Sequence, residues 1–212
     1  MTTMQIDQTR ILSREEIARI LPDLKRRARR SVNSRMNLTI FRLATCCGLR
    51  VSEAIGLRLA DVRISLDRPY IYIRKETAKR NKARRVPLWW DQGTLDDLTA
   101  WRDERVRQDA SPTDAFICSQ AKGSFGRPLD RFNARSRFKS ACRVLGSERV
   151  AELTIHHGRH SFVSHALQHR SLAEVRDAAG HANIATTSIY THVATDDDGV
   201  VGNIFGLETA RA

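Results

Sequence analysis

Residues 154–193 gather the side chains with the most chemistry to offer. His156 and Arg159 form an H-x-x-R pair, Gly180 and His181 form a G-H pair, and Tyr190 follows that histidine by nine positions. Three apart, His156 and Arg159 project from one face of a helix. Arginine grips phosphate oxygens with a planar fork, histidine donates hydrogen bonds, and tyrosine can be a covalent nucleophile. Two imidazoles, a guanidinium and a phenol are the parts needed to hold a phosphodiester and attack it.

A second stretch makes accident a poor explanation. Residues 47–57, C-G-L-R-V-S-E-A-I-G-L, place Arg50 and Glu53 at helical spacing just after Gly48. Between the two stretches, residues 70–88 read as a β-hairpin. Its tip carries Lys75, Lys79, Arg80, Lys82 and Arg84.

The elements that must position these groups are mostly helices. Ser13 and Glu16 have capping-box spacing and open a helix with Ile17, Ile20 and Leu21 on its apolar face. Residues 36–47 read as a buried helix that Gly48 stops. Arg50 opens a short helix over 51–57, and strands over 70–74 and 84–88 follow. Residues 93–108 read as an amphipathic helix with Leu95, Leu98, Trp101 and Val106 inward, and 129–145 as a basic helix around Phe132 and Phe138. Thr154 caps the H-x-x-R helix, Ser171 caps another over 172–179, and Thr186 or Thr187 begins the helix that carries Tyr190. The expected fold class is mainly α with a small antiparallel β-sheet (α+β).

Together these ordered motifs resemble the catalytic domain of the tyrosine recombinases, the phage integrase family, from about Leu12 to Val193. The resemblance implies DNA strand transesterification without metal or other cofactor. Tyr190 would attack a phosphate to form a 3′-phosphotyrosyl bond, with Arg50, Arg159, His156 and His181 on the phosphate. Glu53 would support Arg50. Of Lys75, Lys79 and Lys82, the family's lysine lies seven residues before the valine of the V-P-L strand, which selects Lys79 as the general acid. The family's usual leucine before the arginine is Gly158 here, a change expected to weaken packing and helix propensity. His157, His160 and His165 receive no role beyond structure or exposure. A type IB topoisomerase uses similar groups and is the alternative activity; a non-catalytic DNA-binding accessory protein is the alternative class. A zinc site from His156 and His160 lacks a well-placed third ligand.

Bulk properties agree with a polyanionic partner. The 36 Lys and Arg outnumber the 24 Asp and Glu, for a net charge of +12 over 212 residues, a balance that suits double-stranded DNA. Lys25, Arg26 and Arg27, with Arg80, Lys82 and Arg84 of the hairpin, are the expected DNA-binding cations. The four cysteines have no C-x-x-C spacing and read as buried free thiols in a reducing cytoplasm. Neither a membrane span nor a signal peptide is expected. The expected organisation is a flexible segment 1–11, a catalytic domain 12–195 and a tail 196–212 that docks on a neighbouring subunit. The resemblance leaves no room before residue 12 for the family's N-terminal core-binding domain, and implies a monomer in free solution and a homo-tetramer on DNA.

Overall fold

The computed structural model describes residues 8–78 and 81–190. Lys79, Arg80 and the tail 196–212 therefore lie outside the described residues. The described chain forms nine α-helices and one three-stranded antiparallel sheet. The expected fold class holds.

Helix α1 (Arg14–Ala28) begins as its capping box dictates. The Glu16 backbone N–H donates to Ser13 Oγ at 3.2 Å, and the Ser13 N–H to Glu16 Oε2 at 2.9 Å. Helix α2 (Val32–Thr45) is the axis of the fold and packs against α1 and four later helices. It starts four residues earlier than the hydrophobic pattern suggests, because Ser31 caps it by accepting the Ser34 N–H. Every residue from Met36 to Thr45 is buried, as befits a helix apolar nearly all round. Its one buried cation, Arg42, is matched by Asp91 at 3.2 Å and Asp97 at 2.8 Å. Gly48 then turns the chain at φ +64°, against the ring of Phe162.

Helix α3 (Val51–Ile55) follows, then β1 (Val62–Arg63), β2 (Tyr70–Ile73) and β3 (Arg84–Pro87). The two-residue β1 is too short to leave a periodic trace in the sequence. In the β2–β3 register Ile71 faces Val86 and Ile73 faces Arg84. Partners across a ladder share a face. Ile71, Ile73 and Val86 are buried, and Arg84 is on the inward side with them.

Helix α4 (Gln92–Arg107) buries Leu98 and Trp101, whose indole N–H donates to the Phe116 carbonyl at 2.8 Å. Val106, expected inward, is 55% exposed: it lies about 100° round the helix from the buried Arg105. Helix α5 (Arg131–Ala141) is shorter than the expected 129–145, since Asp130 caps it and the chain tightens after Ala141. It buries Phe138 and leaves Phe132 exposed. The short α6 (Ser147–Glu152) was not legible as a separate element. Helices α7 (Ile155–Ala166), α8 (Leu172–Ala179) and α9 (Ala185–Ser188) complete the order. Helix α9 ends before Tyr190 instead of carrying it. All four cysteines are free and buried, and no helix among the described residues is long and apolar enough to cross a membrane.

Gly158 corrects an expectation. A Cβ there would meet Thr45 Oγ1 at 2.8 Å, Ala44 Cβ at 3.0 Å and Phe138 at 3.1 Å. Helices α7 and α2 approach so closely that only glycine fits, so the missing side chain is what allows the packing. Gly158→Leu should therefore destabilise the fold by about 3 kcal/mol or more, because overpacking outweighs the gain of about 1 kcal/mol in helix propensity. A urea denaturation midpoint equal to or above wild type would contradict this.

Candidate active site

The C-terminus of α8 organises the site. Ser171 and Glu174 cap its start, and Gly180 ends it in a left-handed turn at φ +68°. A helix end presents unpaired carbonyls and the negative pole of its dipole, which attract cations. Three consecutive carbonyls here each accept from a different arginine. Arg84 Nε donates to Ala178 O at 2.9 Å, Arg159 Nη2 to Ala179 O at 2.7 Å, and Arg50 Nη2 to Gly180 O at 3.2 Å. Gly180 is needed twice over: for its backbone angle, and because a Cβ would strike Arg84 at 2.8 Å.

Each arginine comes from a different element. Arg50 caps α3, where Glu53 accepts both its backbone N–H at 2.8 Å and its Nη1 at 2.9 Å. Arg84 comes inward from β3 and clamps Glu53 with two further bonds, each 2.8 Å. Glu53 is wholly buried. Burial pushes its carboxyl up, but the bonds and charge of Arg84, then Arg50, more than offset this and hold it below the usual range. Arg159 comes from α7, nearly buried, with its Nη1 on the Gly48 carbonyl. Burial, with Arg50 beside it, pushes its guanidinium down to about 9. One carboxylate against three guanidiniums leaves an excess of positive charge at this site, which is where an anion belongs.

Tyr190 is buried, 4% exposed, with Arg159 nearby. Burial pushes its phenol up while Arg159 draws it down. Its hydroxyl lies 2.5 Å from His160 Nδ1, and its ring stacks on His160 at 5.7 Å and on His181 at 6.5 Å between centroids. His181 Nδ1 lies 2.8 Å from Thr187 Oγ1. Burial and then the Arg159 charge push His181 down to about 3, while burial and His157 push His160 down to about 4. Both rings are neutral at pH 7. His156 stands at the exposed edge, pushed down by burial and by Arg135. It shares with Arg10, Thr154, His157 and His160 the lining of a cavity of about 560 Å³. Among the described residues no third ligand joins His156 and His160 in a metal-holding group.

The structure thus brings Arg50, Glu53, Arg159, His181 and Tyr190 together, with His156 at the rim. Lys79 and Arg80 lie outside the described residues. Two of the expected DNA-binding cations, Arg84 and Arg27, turn inward onto carboxylates. Arg84 holds Glu53, and Arg27 is buried on Asp23 at 2.8 Å and on the Ala141 carbonyl at 3.1 Å. Arg26 and Lys25 remain largely at the surface, although Arg26 pairs with Asp23, and Lys82 is exposed. His160 is the group that sequence reasoning passed over. Its position one residue after Arg159, a turn beyond His156, was the available signal. His157 completes the Thr154 cap, whose backbone N–H donates to its Nδ1 at 3.1 Å, and buried His165 ties α7 to the Leu12 carbonyl.

The pattern of the Phage integrase family matches residues 10–197. The chain belongs to that family. Tyrosine recombinase XerD of Halalkalibacterium halodurans is 31% identical over 159 residues, covering 74% of this chain and 49% of XerD. Tyrosine recombinase XerC of Bifidobacterium longum is 31% identical over 196 residues, covering 90% of this chain and 52% of XerC. The chain spans about half the length of the curated relatives it matches. Among solved structures, XerA recombinase superposes with a TM-score of 0.69 at 23% identity, over 86% of this chain and 60% of XerA. XerH site-specific recombinase, bound to palindromic difH substrate in a post-cleavage complex, gives 0.68 at 26% identity, over 87% of this chain and 50% of XerH.

Proposed function

We propose that this chain cuts and rejoins DNA strands as a site-specific recombinase. The observation that carries the reading is a buried tyrosine, its hydroxyl on His160 and its phenol drawn down by Arg159, which with Arg50 and Arg84 is fixed on one helix end. Arg50 and Arg159 take the non-bridging phosphate oxygens, and their preorganised charge stabilises the transition state. With His181 Nδ1 engaged by the Thr187 hydroxyl, Nε2 is the ring nitrogen left to donate to phosphate. His156 donates from the rim. Tyr190 attacks phosphorus, the bond to the 5′ oxygen breaks, and Lys79 supplies that oxygen with a proton. The covalent bond conserves the energy needed for rejoining.

The test is adduct formation on nicked duplexes of random sequence. Strands held through SDS are sequenced, and the modified residue is mapped by mass spectrometry. A deoxynucleotide on Tyr190 supports the reading, and recovery of one preferred site separates a recombinase from a strand-relaxing enzyme. No adduct, or an adduct elsewhere, sinks it. With a 5′-bridging sulfur leaving group, which needs no proton, Lys79→Ala should cleave as fast as wild type; continued slow cleavage would remove Lys79 as the acid.

The basic surface implies binding through phosphates, with log K falling linearly in log salt as counterions are released. Between 50 and 200 mM salt the affinity for the recovered duplex should fall by about tenfold or more. The same samples in sedimentation should show a monomer alone and a tetramer on DNA. Salt-insensitive binding, or a tetramer without DNA, would contradict these expectations.

A further inference from the structure

We propose that His160 is a catalytic residue: its Nδ1 takes the proton from Tyr190 as the phenol attacks, and returns it on rejoining. The inference rests on Tyr190 being the nucleophile. Three observations point to His160 rather than to the other histidines. Its Nδ1 is 2.5 Å from the Tyr190 hydroxyl, within direct proton-transfer reach. His181 meets Tyr190 through ring stacking, and its Nδ1 is engaged by Thr187. His156 stands at the exposed edge of the site. His160 is also the member of the site that both touches Tyr190 and lines the 560 Å³ cavity, so its ring joins a buried hydroxyl to a space that admits water.

The step balances. The Tyr190 O–H bond breaks and its proton passes to His160 Nδ1. The phenolate oxygen bonds to phosphorus, the P–O5′ bond breaks, and the 5′ oxygen leaves with a proton from the general acid. His160 is then an imidazolium until the 5′ hydroxyl attacks and the proton goes back to Tyr190.

The surroundings tie this base to DNA. His160 faces His156, His157 and Arg159 of its own helix, Arg10 of the N-terminal segment, and Tyr190 and His181 beyond α8; Glu152 of α6 supplies the carboxylate on the cavity wall. Burial, then His157, His156, Arg159 and Arg10, hold His160 neutral but weakly basic. A phosphate seated on Arg159 and Arg50 offsets that charge, so the imidazolium becomes affordable only with DNA in place.

The test compares wild type, His160→Ala and His160→Gln in single-turnover cleavage of the recovered nicked duplex, with DNA affinity and melting measured alongside. Both variants should bind DNA as wild type does. At pH 7 each should cleave about a hundredfold more slowly or worse, the usual weight of a general base. Their rates should climb about tenfold per pH unit up to pH 9 as hydroxide replaces the base, while wild type stays nearly flat above the His160 ionisation. Imidazole, entering through the cavity, should restore His160→Ala but not His160→Gln. Wild-type rates in either variant overturn the proposal. So does a loss that neither high pH nor imidazole relieves, because that marks a packing role. Absence of any adduct from wild-type protein would instead remove the nucleophile, and this inference with it.

Discussion

Tyr190→Phe is expected to lose covalent adduct formation by about four orders of magnitude or more, the scale on which removal of a catalytic nucleophile is felt. The substitution deletes one oxygen and leaves the ring contacts with His160 and His181 in place. The lost hydrogen bond to His160 is worth only about 0.5–1.5 kcal/mol net, and partly exposed His160 can turn to water. Melting temperature and DNA affinity should therefore stay near wild type while chemistry stops. Trapping on a nicked duplex, read beside anisotropy titration with the same DNA, separates the two. Adduct at wild-type yield from the phenylalanine variant would exclude Tyr190 as the nucleophile.

The second large effect is expected at a residue that need not touch DNA. Arg84→Met keeps the length and apolar stem of the side chain but strips Glu53 of its bidentate partner. Glu53 is wholly buried, and breaking a buried ion pair from one side costs about 3–5 kcal/mol. In wild type the Glu53 carboxyl lies below its usual range. Its contribution to stability is therefore present above the unfolded carboxylate pKa and is lost as pH falls through the folded value. In the variant burial remains and, among the described residues, Arg50 is the one cation left on Glu53, so the folded pKa rises from its wild-type position and the ionised carboxyl loses most of its stabilisation. The variant's deficit is carried by the ionised carboxyl, so it is full at neutral pH and fades as the carboxyl protonates. The gap in melting temperature between the two proteins should be wide at pH 7 and narrow towards pH 4. Cleavage at pH 7 should fall as well, since Glu53 also fixes Arg50. A gap that does not change with pH would show that Arg84 acts through packing alone.

Much of this site was legible because its parts are local. Arg50 and Glu53 are three apart on one short helix, and Ser13, Ser171 and Thr154 announce helix starts through caps that need only neighbours in sequence. The hairpin alternation reads equally well. What failed to read is what depends on distant partners. Arg84 looked like one more basic residue at a crowded tip, although it stands two positions from the buried Val86 and thus shares its inward face. Gly158 looked like a loss until α2 came within touching distance. Val106 fits an amphipathic pattern, yet nothing folds over it. His160 acquires meaning only when the chain returns thirty residues later with Tyr190.

The carbonyls of Ala178, Ala179 and Gly180 belong to the backbone, and this divides mutational change into two kinds. Substituting Ala178 or Ala179 changes no hydrogen-bonding atom, and acts on the three oxygens only through the packing of two buried methyl groups. Deleting a single residue from the last turn of α8 rotates everything beyond it by about 100°. Arg50, Arg84 and Arg159, arriving from three separate elements, would then lose their anchors in one event, and His181 would swing away with them. The arginine cluster therefore reads the length of this helix end as strictly as it reads Gly180, so a single insertion or deletion there is as damaging as losing an arginine.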